Sequence, residues 1–179
     1  GAPVDAFVSA AVKPMDQLEH ADQLADASRV DLLTNRLVLI TPTDGLALDA
    51  FEAVGDPRVA RIAIGDPATV PAGAYAMEVF DKLGVAAPVR EKAVYGKDVR
   101  AVLAWIETGD ADAGVVYASD ACQASKVVVA ATEDPSLHTP IVYPGAIVRS
   151  SPHAEAAALF LAWLADAARD EALTRYGFS

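Results

Sequence analysis

The chain has 179 residues, 53% hydrophobic and 22% charged, which is enough apolar material for a buried core and too much for a disordered segment. Lys and Arg total 14 against 25 Asp and Glu, a net charge of −11, so no basic surface exists to displace counterions from phosphates and nucleic acid is not an expected partner. No run approaches the roughly 18 uninterrupted apolar residues that span a bilayer, and the single cysteine, Cys122, excludes an internal disulfide and any multi-cysteine zinc or iron–sulfur site. The first residue is Gly1, with no charged-then-apolar leader behind it. The chain is expected to be trimmed or processed, with any export signal outside it.

Val4 to Ser9 is largely apolar with polar interruptions and predicts a short strand. Pro14 suits the first turn of a helix running through Met15, Leu18 and Leu24. Arg36 to Thr41 is β-branched and apolar, a strand that Pro42 stops and Thr43-Asp44-Gly45 turns. Leu46 to Val54 reads as a helix closed by Gly55, and Val59 to Ile64 as a strand ending at Gly65-Asp66-Pro67. Beyond the loop Pro67 to Pro71 comes a strong helix, with Ala76, Val79, Phe80 and Leu83 on one face and Gly84 as its stop. Lys97 to Thr108 is another, with Val99, Val102, Leu103 and Ile106 three and four apart and Gly109 at its end. Ala113 to Tyr117 and Val127 to Ala131 are short apolar runs that read as buried strands. Pro140 to Ser150 is extended, with a bend or bulge at Pro144-Gly145. Ala154 to Ala168 is helical, with Leu159, Phe160, Trp163 and Leu164 inward, and a short helix follows to Tyr176.

Strands alternating with helices predict an α/β fold with a mostly parallel sheet flanked by helices on both faces. Repeats, low-complexity tracts and flexible linkers are absent. A boundary between two lobes would therefore cross on strands, and the two candidates are Arg36 to Thr41 and Pro140 to Ser150.

Catalytic constellations are missing. His20, His138 and His153 do not sit at metal-ligand spacing from one another, and there is no H-E-x-x-H, G-x-S-x-G, Walker loop or G-x-G-x-x-G. All three histidines are expected at the surface, Cys122 as a buried structural thiol, and Asp110 and Asp112 as solvated turn residues. An enzyme is not expected.

Three segments are better suited to binding. In Ile64 to Tyr75 a buried strand runs into a two-proline loop, and the small residues Ala72, Gly73 and Ala74 sit where a helix starts. Unpaired N–H groups and the positive end of the helix dipole make an anion site there, although an ordinary tight strand-to-helix loop has the same pattern. Gly96-Lys97-Asp98-Val99-Arg100 is a second helix start, with Asp98 suited to N-cap duty and Arg100 either facing an anion or solvated. Gly114 to Asp120 is the third: the Tyr117 hydroxyl emerges at the carboxyl end of a buried strand, where it either packs or binds. Two helix starts and one hydroxyl can converge on one oxyanion.

At these residues the sequence resembles the periplasmic molybdate-binding protein of bacterial molybdate ABC transporters. Gly1 to Ala10 (GAPVDAFVSA) is similar to the family's G-A-P-x-D-x-F-x-S-A segment, and Leu32 to Leu39 to its first crossover strand. Gly65-Asp66-Pro67 with Val70-Pro71-Ala72-Gly73, then Asp98-Val99-Arg100, then Val115 to Asp120, follow in family order, and Arg175-Tyr176-Gly177-Phe178 resembles its C-terminal R-Y-G-F. The resemblance implies a two-lobed, type II periplasmic-binding-protein-like fold in which the first lobe, residues 1–38 and 146–179, is incomplete and the second spans 39–145. It implies a molybdate or tungstate oxyanion held between the lobes by the backbone N–H groups of Ala72 and Val99 and the hydroxyl of Tyr117, without protein–metal coordination or a cofactor. The family's remaining ligands lie in an N-terminal segment upstream of G-A-P-x-D. Pro14 departs from the aromatic residue that relatives often place there. The implied partner is the membrane permease of an ABC transporter, without direct membrane insertion. The implied location is the periplasm, or an extracytoplasmic, membrane-anchored one in a Gram-positive host. The alternative is a binding or sensing module of the same fold for another small anion.

Overall fold

A computed structural model describes residues 3–167 and 171–178. In chain order the elements are β1 (Ala6–Val8), α1 (Val12–His20), β2 (Val30–Thr34), β3 (Leu37–Pro42), a 3-10 turn (Phe51–Gly55), β4 (Ile62–Gly65), α2 (Pro71–Lys82), α3 (Ala86–Lys92), β5 (Ala93–Gly96), α4 (Val99–Thr108), β6 (Ala113–Tyr117), α5 (Ala118–Ala121), β7 (Val127–Thr132), a second 3-10 turn (Pro135–Leu137), β8 (Val142–Ile147), α6 (Ala154–Ala167) and α7 (Glu171–Arg175). They fall into two compact units, residues 1–35 with 141–179, and residues 36–140.

The first unit holds a three-stranded sheet, β1-β8-β2, with both pairings antiparallel. Pro144 lies inside β8, and β2 slips register opposite it, between Asp31 and Leu33, where the proline has no N–H for a regular ladder. Gly145 has a steric role: a Cβ there would come within 2.7 Å of Leu32 Cδ1 and 3.0 Å of Leu161 Cδ2. The absent side chain lets α6 lie close on the sheet. Leu24, expected within the first helix, instead forms an isolated bridge to Val148, because α1 ends at His20. Arg149 and Arg29 tie down the stretch that follows α1. Arg149 bridges Asp22 and Asp26, and Arg29 bridges Asp16 and Glu19.

Helix α6 packs through Ala157 and Leu161 onto Leu32 and Ile147, with Leu164 alongside. Leu159, Phe160 and Trp163, expected inward, are exposed. The helix is apolar on every side, so its sequence carries no moment that selects a face. Contact with the sheet settles which stripe is buried.

The second unit is a five-stranded sheet in the order β5-β4-β6-β3-β7. Strands β4, β5 and β6 are parallel neighbours, and β3 lies reversed between β6 and β7. The first sheet is thus antiparallel and the second mixed, rather than mostly parallel. Parallel pairing needs a helical return to the same end, supplied by α2 and α3 between β4 and β5 and by α4 between β5 and β6. β3 is followed by irregular chain and one 3-10 turn and needs no such return. That turn replaces the helix expected over Leu46 to Val54. Phe51 and Val54 are buried, and their spacing of three is the repeat of a 3-10 turn, whose i and i+3 side chains eclipse; Leu48 is buried from the irregular chain before it.

Every residue of β3 from Leu37 to Thr41 is buried, so both faces of the sheet are covered. Val38, Ile40, Ala63 and Val116 pack against Val102 and Ile106 of α4. Ala76, Val79 and Phe80 of α2 are fully buried, matching the expected stripe, and Gly84 and Gly109 end their helices at φ of 74° and 75°. β7 is not the buried strand expected. It is the sheet's edge, and Val128 and Val129 are exposed. Periodicity cannot tell an edge from a centre in an all-apolar run.

Candidate functional site

The three segments singled out in the sequence all lie within residues 36–140, at the carboxyl ends of three neighbouring parallel strands. Gly65 ends β4 and pairs with Gly96, which ends β5. The β4–β6 register, Ile62 with Ala113 and Ala63 with Gly114, puts Tyr117 one residue beyond the level of Gly65. The Asp66 N–H donates to Gly96 O at 2.9 Å and carries the pairing one step past the strands. Open α/β sheets place ligands at this edge.

Helix α2 begins at this edge because Gly73, in its first turn, puts no side chain in the way. A Cβ on Gly73 would lie 1.9 Å from Gly65 O, so only glycine permits the helix start to rest on the end of β4. Pro71 opens the helix and has no N–H to satisfy. The N–H groups of Gly73 and Ala74 donate to Val70 O at 3.0 and 3.2 Å. The Ala72 N–H is left ahead of the helix's first internal acceptor, on a residue that is itself buried.

Helix α4 repeats the arrangement after β5. The Asp98 carboxylate caps it, accepting from the Ala101 N–H at 2.8 Å, and Asp98 O accepts from Val102. The N–H groups of Val99 and Arg100 remain as the first-turn donors. The Arg100 side chain is exposed. Tyr117 closes β6, half-buried, and the Ala118 N–H donates to Arg36 O at 2.9 Å.

Charges of both signs occur at this edge: Asp66, Asp98 and Asp120, with exposed Lys97 and Arg100. Asp66 accepts from the Ala68 N–H and Asp98 from the Ala101 N–H, so both carboxylates are used within their own loops. Burial pushes the Asp120 carboxyl above the ordinary aspartate range, partly offset by a backbone hydrogen bond at Tyr117 and by Arg100. Oriented first-turn N–H dipoles at the ends of these strands favour an anion. Among the described residues no group of three or more His, Cys, Asp or Glu is placed to hold a metal ion. No helix among them is long and apolar enough to cross a membrane.

Three other expectations are corrected. Cys122 is exposed rather than a buried thiol, since α5 is a single turn at the sheet's end. Asp112 is not merely solvated. Its Oδ2 accepts from the N–H groups of both Ala60 and Arg61 at 2.8 Å and fastens the chain entering β4. His138 is buried rather than at the surface: its Nε2 lies 3.1 Å from Glu133 Oε1, its Nδ1 lies 2.7 Å from Thr139 O, and its ring packs 5.7 Å from that of Tyr75. The 3-10 turn at Pro135 folds Glu133 and His138 back on each other. A glutamate and a histidine bracketing a proline-started turn were the only signal available.

The whole chain, residues 1–179, matches the family described as bacterial extracellular solute-binding protein. It is 37% identical over 183 residues to the molybdate-binding protein ModA of Haemophilus influenzae, covering 100% of this chain and 72% of that protein. It is 38% identical over 180 residues to YvgL of Bacillus subtilis, a substrate-binding lipoprotein ascribed to an ABC transporter, covering 68% of it. A solved substrate-binding domain ascribed to a molybdenum ABC transporter of Clostridium difficile superposes with a TM-score of 0.93 at 35% identity, over 100% of this chain and 78% of that one. Iron-bound HitA of Pseudomonas aeruginosa, at 15% identity and a TM-score of 0.62, shares the fold alone. With its α/β architecture of the periplasmic-binding-protein class, this chain belongs to the bacterial extracellular solute-binding proteins, which bind their solutes and are not enzymes.

Proposed function

We propose that residues 36–140 present one wall of a site for molybdate, and that the protein receives this oxyanion outside the cytoplasm and delivers it to the permease of an ABC transporter. The observation that carries the reading is the placement of the Ala72 N–H, the Val99 N–H and Tyr117 at the carboxyl ends of adjacent strands. The relatives named for molybdate support it, at 36–37% identity over the full chain. Tungstate, an oxyanion of the same shape and charge, is expected to bind as well. Neutral donors suit a fully deprotonated tetrahedral dianion in a chain of net charge −11, because the global field repels the ligand and only short-range dipoles attract it. A site without an acceptor disfavours protonated phosphate, and cavity size is expected to disfavour sulfate.

Calorimetric titration of the whole protein with molybdate, tungstate, sulfate and phosphate tests this. Heat with the first two and little with the others is the expected pattern; sulfate binding as tightly as molybdate would assign the protein to another anion. Tyr117→Phe should weaken molybdate binding by about 1–3 kcal/mol, the value of a hydrogen bond to a charged group. Unchanged affinity would remove the hydroxyl from the site.

A backbone donor can be removed just as selectively. Val99 is the first residue of α4, where proline is tolerated, and Asp98 before it is extended at φ −161° and ψ 171°, as a residue preceding proline must be. Val99→Pro should therefore fold normally and lose about 1.5–3 kcal/mol of molybdate affinity. Circular dichroism checks the first half of that statement and titration the second.

A further inference from the structure

A half-buried carboxylate, Asp120, stands at the edge where an anion is to bind, and it is unfavourable there on two counts. Burial opposes its charge, and the charge opposes an incoming oxyanion. Its place follows from how β6 ends. The Ala118 N–H donates to Arg36 O at 2.9 Å, so these two residues form a hydrogen-bonded pair at the end of the antiparallel ladder. Hydrogen-bonded and non-hydrogen-bonded pairs alternate. Tyr117 and Leu37 are therefore a non-hydrogen-bonded pair, and the Tyr117 N–H turns away from β3. On its other side the pairing of β6 with β4 stops at Gly114. The Asp120 carboxylate accepts from this N–H instead. Tyr117 is the N-cap of α5 and Asp120 its third residue, the spacing at which a carboxylate reaches back to a cap N–H. Arg100, from the first turn of α4, favours the charged form.

We propose that Asp120 is a positioning residue of the anion site: by holding the Tyr117 backbone at the end of β6, it fixes where the phenol hydroxyl stands. The inference rests on the reading of Tyr117 as a ligand. Tyr117 lies at φ −75° and ψ 150°, ahead of a helix of only four residues, Ala118–Ala121. Two backbone hydrogen bonds fix this corner, Ala118 N–H to Arg36 on the β3 side and Tyr117 N–H to Asp120 on the other. Loss of the second lets the Tyr117 backbone turn. A small turn is magnified at the hydroxyl, the far end of the side chain, and a hydrogen bond to an anion tolerates little misalignment.

Asp120→Ala and Asp120→Asn test this as a pair. Both remove the charge, but asparagine keeps an oxygen that can accept from the Tyr117 N–H. In calorimetric titration of the whole protein, Asp120→Ala should bind molybdate roughly fivefold more weakly than Asp120→Asn. In a Tyr117→Phe background the two should bind alike, because the effect acts through the hydroxyl. Equal affinities with Tyr117 in place, or the same ratio in the Tyr117→Phe background, would overturn the proposal. A wild-type protein that takes up no molybdate would sink the ligand reading alone. The NMR ring signals of isotope-labelled Tyr117 in the anion-free protein then decide. They should move in Asp120→Ala and stay in Asp120→Asn, whereas identical signals in wild type and both variants would overturn the positioning role.

Discussion

Glu133→Ala is expected to destabilise residues 36–140 by about 3 kcal/mol, the upper end of the cost of leaving a buried hydrogen-bonding group without its partner. The Glu133 side chain is fully buried and that of His138 is 2% exposed. The carboxylate faces His138 Nε2 at 3.1 Å and Arg36 Nε at 3.7 Å, and Glu133 O accepts from Arg36 at 2.6 Å. Arg36 is the first residue of its unit and Thr139, whose carbonyl meets the same imidazole, the next to last. The cluster thus closes the unit where the chain enters and leaves it. Alanine would strand a buried imidazole nitrogen and leave a cavity. Because the Arg36 side chain is 41% exposed, water compensates that side, and most of the loss comes from His138. Glu133→Gln keeps the volume and an acceptor and should cost clearly less. Urea unfolding followed by Trp105, half-buried in this unit's core, measures both. Equal midpoints for wild type and Glu133→Ala would show that the cluster contributes no net stability.

Gly73→Ala should be of similar size, about 3 kcal/mol, at the upper end of overpacking costs. The added methyl would lie 1.9 Å from Gly65 O and 2.5 Å from its carbon. Both are backbone atoms of a central strand, so no side-chain rotation relieves the clash. Either α2 lifts from the end of β4 or the strand end shifts, and both displace the Ala72 N–H. Affinity for molybdate should therefore fall with stability. Gly84→Ala is the control: at φ 74° with no heavy atom within 4 Å, it strains the backbone without crowding and lies far along the chain from the strand ends. A Gly73→Ala protein with normal stability and affinity would show that the contact between strand and helix does not position the site.

Much of this was legible in the sequence, for identifiable reasons. Pro71 with Ala72-Gly73-Ala74, and Asp98 before an apolar run, are local signals of helix starts, and both helices begin there. Strands β3, β4 and β6 were visible because apolar runs bounded by Pro, Gly or Asp leave few other readings. Burial was less legible. The runs Val127–Ala131 and Ala154–Ala168 are apolar throughout, so neither an edge strand nor a half-covered helix announces itself. His138 and Cys122 exchanged their expected places because tertiary packing set their exposure. The Gly65–Gly73 contact joins residues that look like loop filler until the helix is laid on the strand.

We propose that the N–H groups of Ala72 and Val99 face the bound oxyanion. This is tested most directly by recording backbone amide shifts of the whole protein as molybdate is added. A hydrogen bond to a dianion pulls its own amide proton strongly downfield, so the largest downfield changes are expected at Ala72 and Val99, reduced by Tyr117→Phe. Saturable binding with both amides unmoved would contradict it.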